Sequence, residues 1–282
     1  MLENDLQPAL SAETIYLKDY QQPDFLIPTI ELDFVLGETQ TTVTAKSQIQ
    51  RQGTHTRDLV LNGEKLKLVS LKENGVLVAD DRITLSSEHL IVHNVPDQFE
   101  LEVVTNLEPH LNTELSGLYQ SSGNFCTQCE AEGFRRITYF PDRPDVLSIY
   151  TVTITADQTS CPVLLSNGNF VEAKQLENQQ HWVKWHDPHP KPSYLFALVA
   201  GDLQRISDQF TTRSGVTVDL HIYAEAHNIH KCQHAMDSLK HSMRWDEQVY
   251  GREYDLDIYN VVAVDDFNMG AMENKGLNLF NS

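Results

Sequence analysis

Val261-Val262-Ala263-Val264-Asp265-Asp266-Phe267-Asn268-Met269-Gly270-Ala271-Met272-Glu273-Asn274 is the stretch that organises the chain. Val261 to Val264 is a short continuous apolar run, the pattern of a strand covered on both faces. Gly270 lets the backbone come close to whatever lies beyond the strand's end, and Glu273 presents a carboxylate there. On local chemistry alone, a glutamate after a strand is more often a solvated loop residue than a functional one.

Upstream of this strand, Ile229, Cys232, Met236, Leu239, Met243 and Tyr250 step by three, four and seven residues. That spacing predicts a helix, with Asn228 to cap its start and Gly251 to end it. A strand is expected at Val216 to Tyr223. Everything before Gly201-Asp202 reads differently: the period is two. Ile30, Leu32, Phe34 and Leu36 alternate with polar neighbours, Gly37 breaks the run, and the threonine-rich stretch Thr41 to Gln50 follows. Further strands are expected at Glu100 to Thr105, Ser148 to Thr155, Trp182 to Trp185 and Tyr194 to Ala200. Asn74-Gly75, between Leu66, Leu68, Leu71 and Val76-Leu77-Val78, is the strongest short hairpin signal. Asn167-Gly168, after Leu164-Leu165-Ser166, reads as a second hairpin. Residues 1 to about 25 form a polar lead-in closed by Gln21-Gln22-Pro23. No internal repeat or low-complexity segment is present.

At 282 residues the chain can bury a sizeable core as one or two domains. Its 21 Lys and Arg against 40 Asp and Glu give a net charge of −19, which argues against nucleic acid or an anionic membrane surface and suits a cationic ligand. Met1-Leu2-Glu3-Asn4-Asp5-Leu6 has neither a basic nor an apolar leader region, and no stretch approaches membrane-spanning length. The expectation is a soluble, cytoplasmic protein. Four cysteines suit a reducing compartment.

Gly270-Ala271-Met272-Glu273-Asn274 resembles the GAMEN exopeptidase motif of the zinc aminopeptidases related to aminopeptidase N. The resemblance extends through Tyr254-Asp255-Leu256-Asp257-Ile258-Tyr259 upstream and Lys275-Gly276-Leu277-Asn278 downstream, and is closest to the bacterial cytosolic branch. It implies a mainly β fold. A curved, antiparallel, β-sandwich-like N-terminal domain over residues 1–202 would precede the truncated, α+β start of a thermolysin-like catalytic domain over 203–282. In that family the motif lies along the substrate's first residue and its glutamate holds the free α-amino group. The chemistry is sound, because an α-ammonium is largely charged at neutral pH and forms a strong charge-assisted hydrogen bond with a carboxylate.

The same branch carries a segment very similar to Gln128-Cys129-Glu130-Ala131-Glu132. By resemblance Glu130 binds the α-amino group from the other domain, Gln128 lines the same pocket, and Glu132 has the weaker claim. Two carboxylates converging on one ammonium lower the cost of burying it. Met269 falls where the family places the wall for the substrate's first side chain, although a core methionine at a strand end is an equal reading. The expected substrate-binding set is therefore Gln128, Glu130, Met269, Gly270, Ala271, Met272, Glu273 and Asn274.

The family's zinc motif, His-Glu-x-x-His on a helix, lies downstream of GAMEN, and no His-Glu pair occurs in this chain. Zinc is accordingly expected in the full-length enzyme and no metal in this portion. His230 and His234 have the spacing of helical zinc ligands, with His227 and His241 nearby, but position 231 is lysine, and a surface histidine cluster is the expectation. Cys126-Thr127-Gln128-Cys129 suggests a metal or redox pair, yet Cys161 and Cys232 stand alone, so neither role is expected. His181-Trp182-Val183-Lys184-Trp185-His186 reads as a strand with aromatics on the core rather than a base-stacking platform.

The implied function is the N-terminal portion of a zinc-dependent aminopeptidase acting on peptides with a free α-amino group, monomeric when complete and inactive as this portion alone. A non-catalytic peptide-binding or interaction module is the alternative. An epoxide-hydrolysing relative and a glycosidase-like carboxylate pair find less support in the residues.

Overall fold

The computed structural model describes Thr14 and residues 16–282. The first residues of the polar lead-in lie outside that range, and the strand expected around Ile30 begins at Phe25. Phe25–Val35 and Thr41–Arg51 alternate inward and outward side chains, with Ile30, Leu32, Phe34, Val43, Ala45 and Ile49 all buried. They sit in the middle of an eight-stranded sheet. Its order is Asn169–Gln175, Gln180–Pro192, Leu147–Asp157, Phe25–Val35, Thr41–Arg51, Gln98–Leu107, Lys67–Glu73 and Val76–Leu77. All its pairings are antiparallel except Phe25–Val35 with Leu147–Asp157, which run parallel.

A four-stranded sheet, ordered Val163–Ser166, Leu198–Gly201, Asn124–Gln128 and Gly117–Ser121, shares one apolar core with the large sheet. Phe196 is the hub between them. Its ring lies 5.9 Å from that of Phe34, 5.3 Å from Phe134 and 6.0 Å from Tyr150. A three-stranded sheet, Leu59–Asn62, His89–Val92 and Ile83–Leu85, adds Leu59, Leu61, Leu90 and Val92 to this core.

From Gln204 onward the chain builds a separate five-stranded sheet, ordered Gln204–Thr211, Thr217–Ala224, Ile258–Val264, Leu277–Asn281 and Ala271–Met272. Thr217–Ala224, Ile258–Val264 and Leu277–Asn281 run parallel. The apolar run that suggested a doubly covered strand is one. Val262 and Val264 face the large core with Phe267, Met272, Leu277 and Leu279, whereas Val261 faces Leu220, Ile222, Met236 and Met243 under the helix Gln233–Val249. Burying a valine, leucine or methionine side chain contributes about 1.5–3 kcal/mol, so both faces hold this strand in place.

Several local readings change. Asn74 and Gly75 both have positive φ, at 49° and 79°, as a tight hairpin turn requires, and the hairpin forms. Asn167-Gly168 is not a hairpin: Val163–Ser166 belongs to the four-stranded sheet and Asn169–Gln175 to the eight-stranded one, so these residues carry the chain between sheets. Asn228 does not cap the helix. Ile229–Lys231 forms a 3-10 turn first, and the Asn228 amide donates to Asp265 Oδ1 at 3.2 Å instead. Tyr250 is exposed and lies just past the helix. Of the two tryptophans expected on the core, Trp185 is buried and its indole donates to Leu164 O at 3.1 Å, while Trp182 is only half-buried because it points to the opposite face. Tyr194 to Ala200 divides into a 3-10 turn, Ser193–Leu195, and the strand Leu198–Gly201. No helix among the described residues is long and apolar enough to cross a membrane.

Candidate functional site

The stretch around Gln128 and the stretch around Met272 are brought together across the seam between the four-stranded and five-stranded sheets. Asn124–Gln128 is a fully buried strand held on one side by Gly117–Ser121 and on the other by Leu198–Gly201, in the register Phe125↔Ala200 and Cys126↔Val199. Thr127 reinforces that pairing, accepting from Leu198 N at 2.8 Å. At its end the chain turns sharply: Gly133 N donates to Cys129 O at 2.8 Å, and a Cβ at Gly133 would lie 2.4 Å from Gln128 O. The turn projects Glu130, Ala131 and Glu132 into solvent, and the Glu130–Ala131 peptide bond is cis.

Opposite it, Ala271–Met272 forms the edge of the five-stranded sheet, pairing with Leu277–Asn281 in the register Ala271↔Phe280 and Met272↔Leu279. Met272 is wholly buried, and Gln128 Nε2 lies 3.8 Å from its sulfur. Met269, Gly270, Ala271 and Glu273 are exposed, and a Cβ at Gly270 would meet nothing within 4 Å. Asn274 is buried, and neither its side-chain amide nor Gln128 Oε1 has a hydrogen-bond partner among the described residues. Of the two candidate carboxylates near Gln128, Glu132 pairs with Arg135 at 3.2 Å, and Arg135 in turn with Asp142 at 3.1 Å. Glu130 and Glu273 make no ion pair among the described residues.

The loop is fastened at both ends by pairings that the sequence does not predict. On its N-terminal side Ser121 Oγ donates to Asp266 Oδ2 at 3.0 Å and accepts from Asp266 N at 3.1 Å, Tyr119 OH donates to Asp266 O at 3.0 Å, and Asn268 donates to Leu115 O at 2.8 Å. On its C-terminal side Asn167 donates to Lys275 O at 2.8 Å, and Lys275 Nζ donates to Asp255 at 2.6 Å. These partners lie 108 to 153 positions apart in all but the last case, and no periodic or motif signal marks the pairings.

The donor set does not fit a metal. No group of three or more His, Cys, Asp and Glu residues that could hold one occurs among the described residues. His230 and His234 are both exposed but do not share a helix, because His230 lies in the 3-10 turn and His234 in the following α-helix. Cys126 and Cys129 are buried free thiols, each pushed up in pKa chiefly by that burial, with Glu225 and Asp266 adding to the effect at Cys126 and Asp142 at Cys129. A thiol so placed is neither a ready nucleophile nor a ready metal ligand.

Residues 20–195 match the Peptidase M1 N-terminal domain and residues 234–282 the Peptidase family M1 domain. Aminopeptidase N of Escherichia coli is 54% identical over 270 residues, covering 95% of this chain and 30% of that protein. Aminopeptidase N of Haemophilus influenzae is 52% identical, covering 96% of this chain and 31% of that protein. Among solved structures, Legionella pneumophila aminopeptidase A, crystallised with aspartic acid, superposes with a TM-score of 0.90 at 40% identity over 94% of this chain and 32% of its own. The M1 zinc metallopeptidase of Deinococcus radiodurans shares the fold, with a TM-score of 0.77 at 18% identity. The chain belongs to the M1 peptidase family. It spans about a third or less of the aminopeptidase N relatives it matches.

Proposed function

We propose that this chain is the N-terminal portion of a zinc-dependent aminopeptidase and supplies the part of the site that recognises a peptide's free α-amino group. The observation that carries the reading is the meeting of the Gln128–Glu130 stretch with the Gly270–Asn274 loop, joined by the Gln128 to Met272 contact. Glu130 and Glu273 are the carboxylates for the ammonium, and Glu130 is preferred over Glu132 because Glu132 is already paired with Arg135. Gly270, Ala271 and the backbone of Met272 form a sheet edge along which an extended peptide can lie, since an edge strand offers unpaired N–H and C=O groups. Met269, exposed beside that edge, adapts to apolar first residues. Gln128, Met272 and Asn274 are buried and act from beneath, shaping the loop that the peptide touches.

Zinc, if bound in the full-length protein, would supply Lewis-acid chemistry at the scissile carbonyl; no described residue of this chain is assigned to hold it. We put the boundary between the β-rich domain and the start of the catalytic domain at residues 202 and 203; the change from the four-stranded to the five-stranded sheet between Gly201 and Gln204 supports that reading. Peptides with a free N-terminus are the substrates, the complete protein is a monomer, and four buried free cysteines favour the cytoplasm.

The test is hydrolysis of an amino-acid amide and of its N-acetylated counterpart by the full-length protein carrying this chain, with zinc determined on the same sample. Turnover confined to the free amine, with one zinc per chain, supports the reading. Equal turnover of both substrates removes the ammonium clamp from it.

A further inference from the structure

We propose that Asn167 is a positioning residue whose carboxamide sets the spacing between the Gln128–Glu130 stretch and the Gly270–Asn274 loop, and thereby the fit of the site to a substrate ammonium. The inference rests on the reading of that site given above.

Asn167 is 1% exposed and makes three hydrogen bonds. Its Nδ2 donates to Leu195 O at 3.0 Å and to Lys275 O at 2.8 Å, and its Oδ1 accepts from Ala197 N at 2.7 Å. Both donor hydrogens of one amide are thus divided between two bodies. Leu195 and Ala197 lead into Leu198–Gly201, the strand that pairs with Phe125 and Cys126 and so holds the Gln128–Glu130 turn. Lys275 follows Asn274 directly and closes the loop on the other side.

The neighbouring backbone is built for this approach. Gly168 has φ +88°, and a Cβ there would lie 2.2 Å from His186 O. Gly276 has φ +73°, and its Cβ would lie 3.2 Å from Gly168 N. Two glycines bring the backbones close, and the amide beside them fixes how close. The cost of losing it falls on Ala197 N, which is buried, and on Lys275 O and Leu195 O, which are part-buried and would each be left without this partner.

The experiment uses the full-length protein with Asn167→Asp and Asn167→Ala, reading steady-state kinetics on an amino-acid amide together with hydrogen exchange over residues 268–276. In both variants exchange over 268–276 should quicken while that of Phe25–Val35 stays unchanged. KM should rise about tenfold, the effect of losing one well-made interaction, with kcat held within about twofold because the loss falls on binding.

Asn167→Asp keeps size and the acceptor for Ala197 N. Its KM defect should shrink as pH falls, because a protonated carboxyl regains one donor, whereas that of Asn167→Ala should not. If Asn167→Ala fails to fold, the isosteric variant carries the comparison. Unchanged exchange over 268–276, or a fall in kcat with KM unchanged, would overturn the proposal. An inactive wild type would remove the aminopeptidase reading and leave the exchange comparison to decide whether Asn167 holds the loop.

Discussion

Gln128 and Met272 meet at 3.8 Å, amide nitrogen to sulfur, with 144 positions of sequence between them. Both side chains are buried, at 1% and 0% exposure, so the contact is packed rather than solvent-bridged. Met272→Ala should destabilise the protein by about 2–5 kcal/mol, as large-to-small core changes do. Met272→Leu, which nearly conserves volume, should cost less than about 1.5 kcal/mol. Urea unfolding of both variants measures the difference, and equal costs would mean that the seam is not packed as described.

Ser121→Ala removes the hydroxyl that both donates to the Asp266 carboxylate and accepts from Asp266 N. Because one partner is charged and Ser121 is 1% exposed, the expected loss is about 1.5–3 kcal/mol. Hydrogen exchange should show it as faster opening of residues 265–269 than of Phe25–Val35. Uniform opening across the chain would contradict a local fastening role.

Lys191 gives stability a defined pH dependence. It is 2% exposed, its Nζ lies 3.2 Å from Asp187 Oδ2, and it sits 3.8 Å from the centre of the Tyr150 ring. Burial pushes its ammonium down to about 8 from an ordinary 10.5, with the Asp187 charge only partly opposing the shift. Between those two values the unfolded chain binds the extra proton, so this group's contribution to stability rises as pH climbs through that window. Lys191→Met leaves Asp187 buried without its partner and should cost about 3–5 kcal/mol. The gap between wild type and variant should widen by on the order of 3 kcal/mol from about pH 8 to about pH 10.5. Denaturant titrations at the two ends of that window check it, and a gap that narrows instead refutes the assignment.

His230 and His234 should be dispensable for metal. Both are exposed, and they lie in separate helical segments. On the proposed aminopeptidase reading, the double variant His230→Ala with His234→Ala in the full-length protein should match the wild type in zinc content and in turnover of an amino-acid amide, changing stability by no more than about 0.5 kcal/mol. Loss of zinc from that variant would place the metal where the donor geometry does not.

Much of the fold was legible because period and punctuation are local. Alternation at Ile30, Leu32 and Phe34 reported which face is buried, and Asn74-Gly75 reported its own turn because positive φ at two successive residues needs just such a pair. The same dipeptide at Asn167-Gly168 misled, since a turn signal says that the chain bends and not which sheet receives it. Asn228 carries the chemistry of a helix cap, but Asp265, 37 positions away, competes for its amide. Trp182 and Trp185 are three apart, an odd spacing that puts them on opposite faces of a strand.

By itself the sequence determined the alternating strands, the doubly covered strand Ile258–Val264, the acidic balance and, through the Gln128–Glu132 and Gly270–Asn274 stretches, the family. Those properties reside in residue types and short spacings. Only the tertiary structure decided that Gln128 rests on Met272, that Ser121 holds Asp266, and that one amide at Asn167 joins Lys275 to Leu195 and Ala197. Each of those bonds is made between segments whose approach is set by packing around the whole core, and a hydrogen-bonding side chain carries no local mark of a partner 28 to 145 residues away.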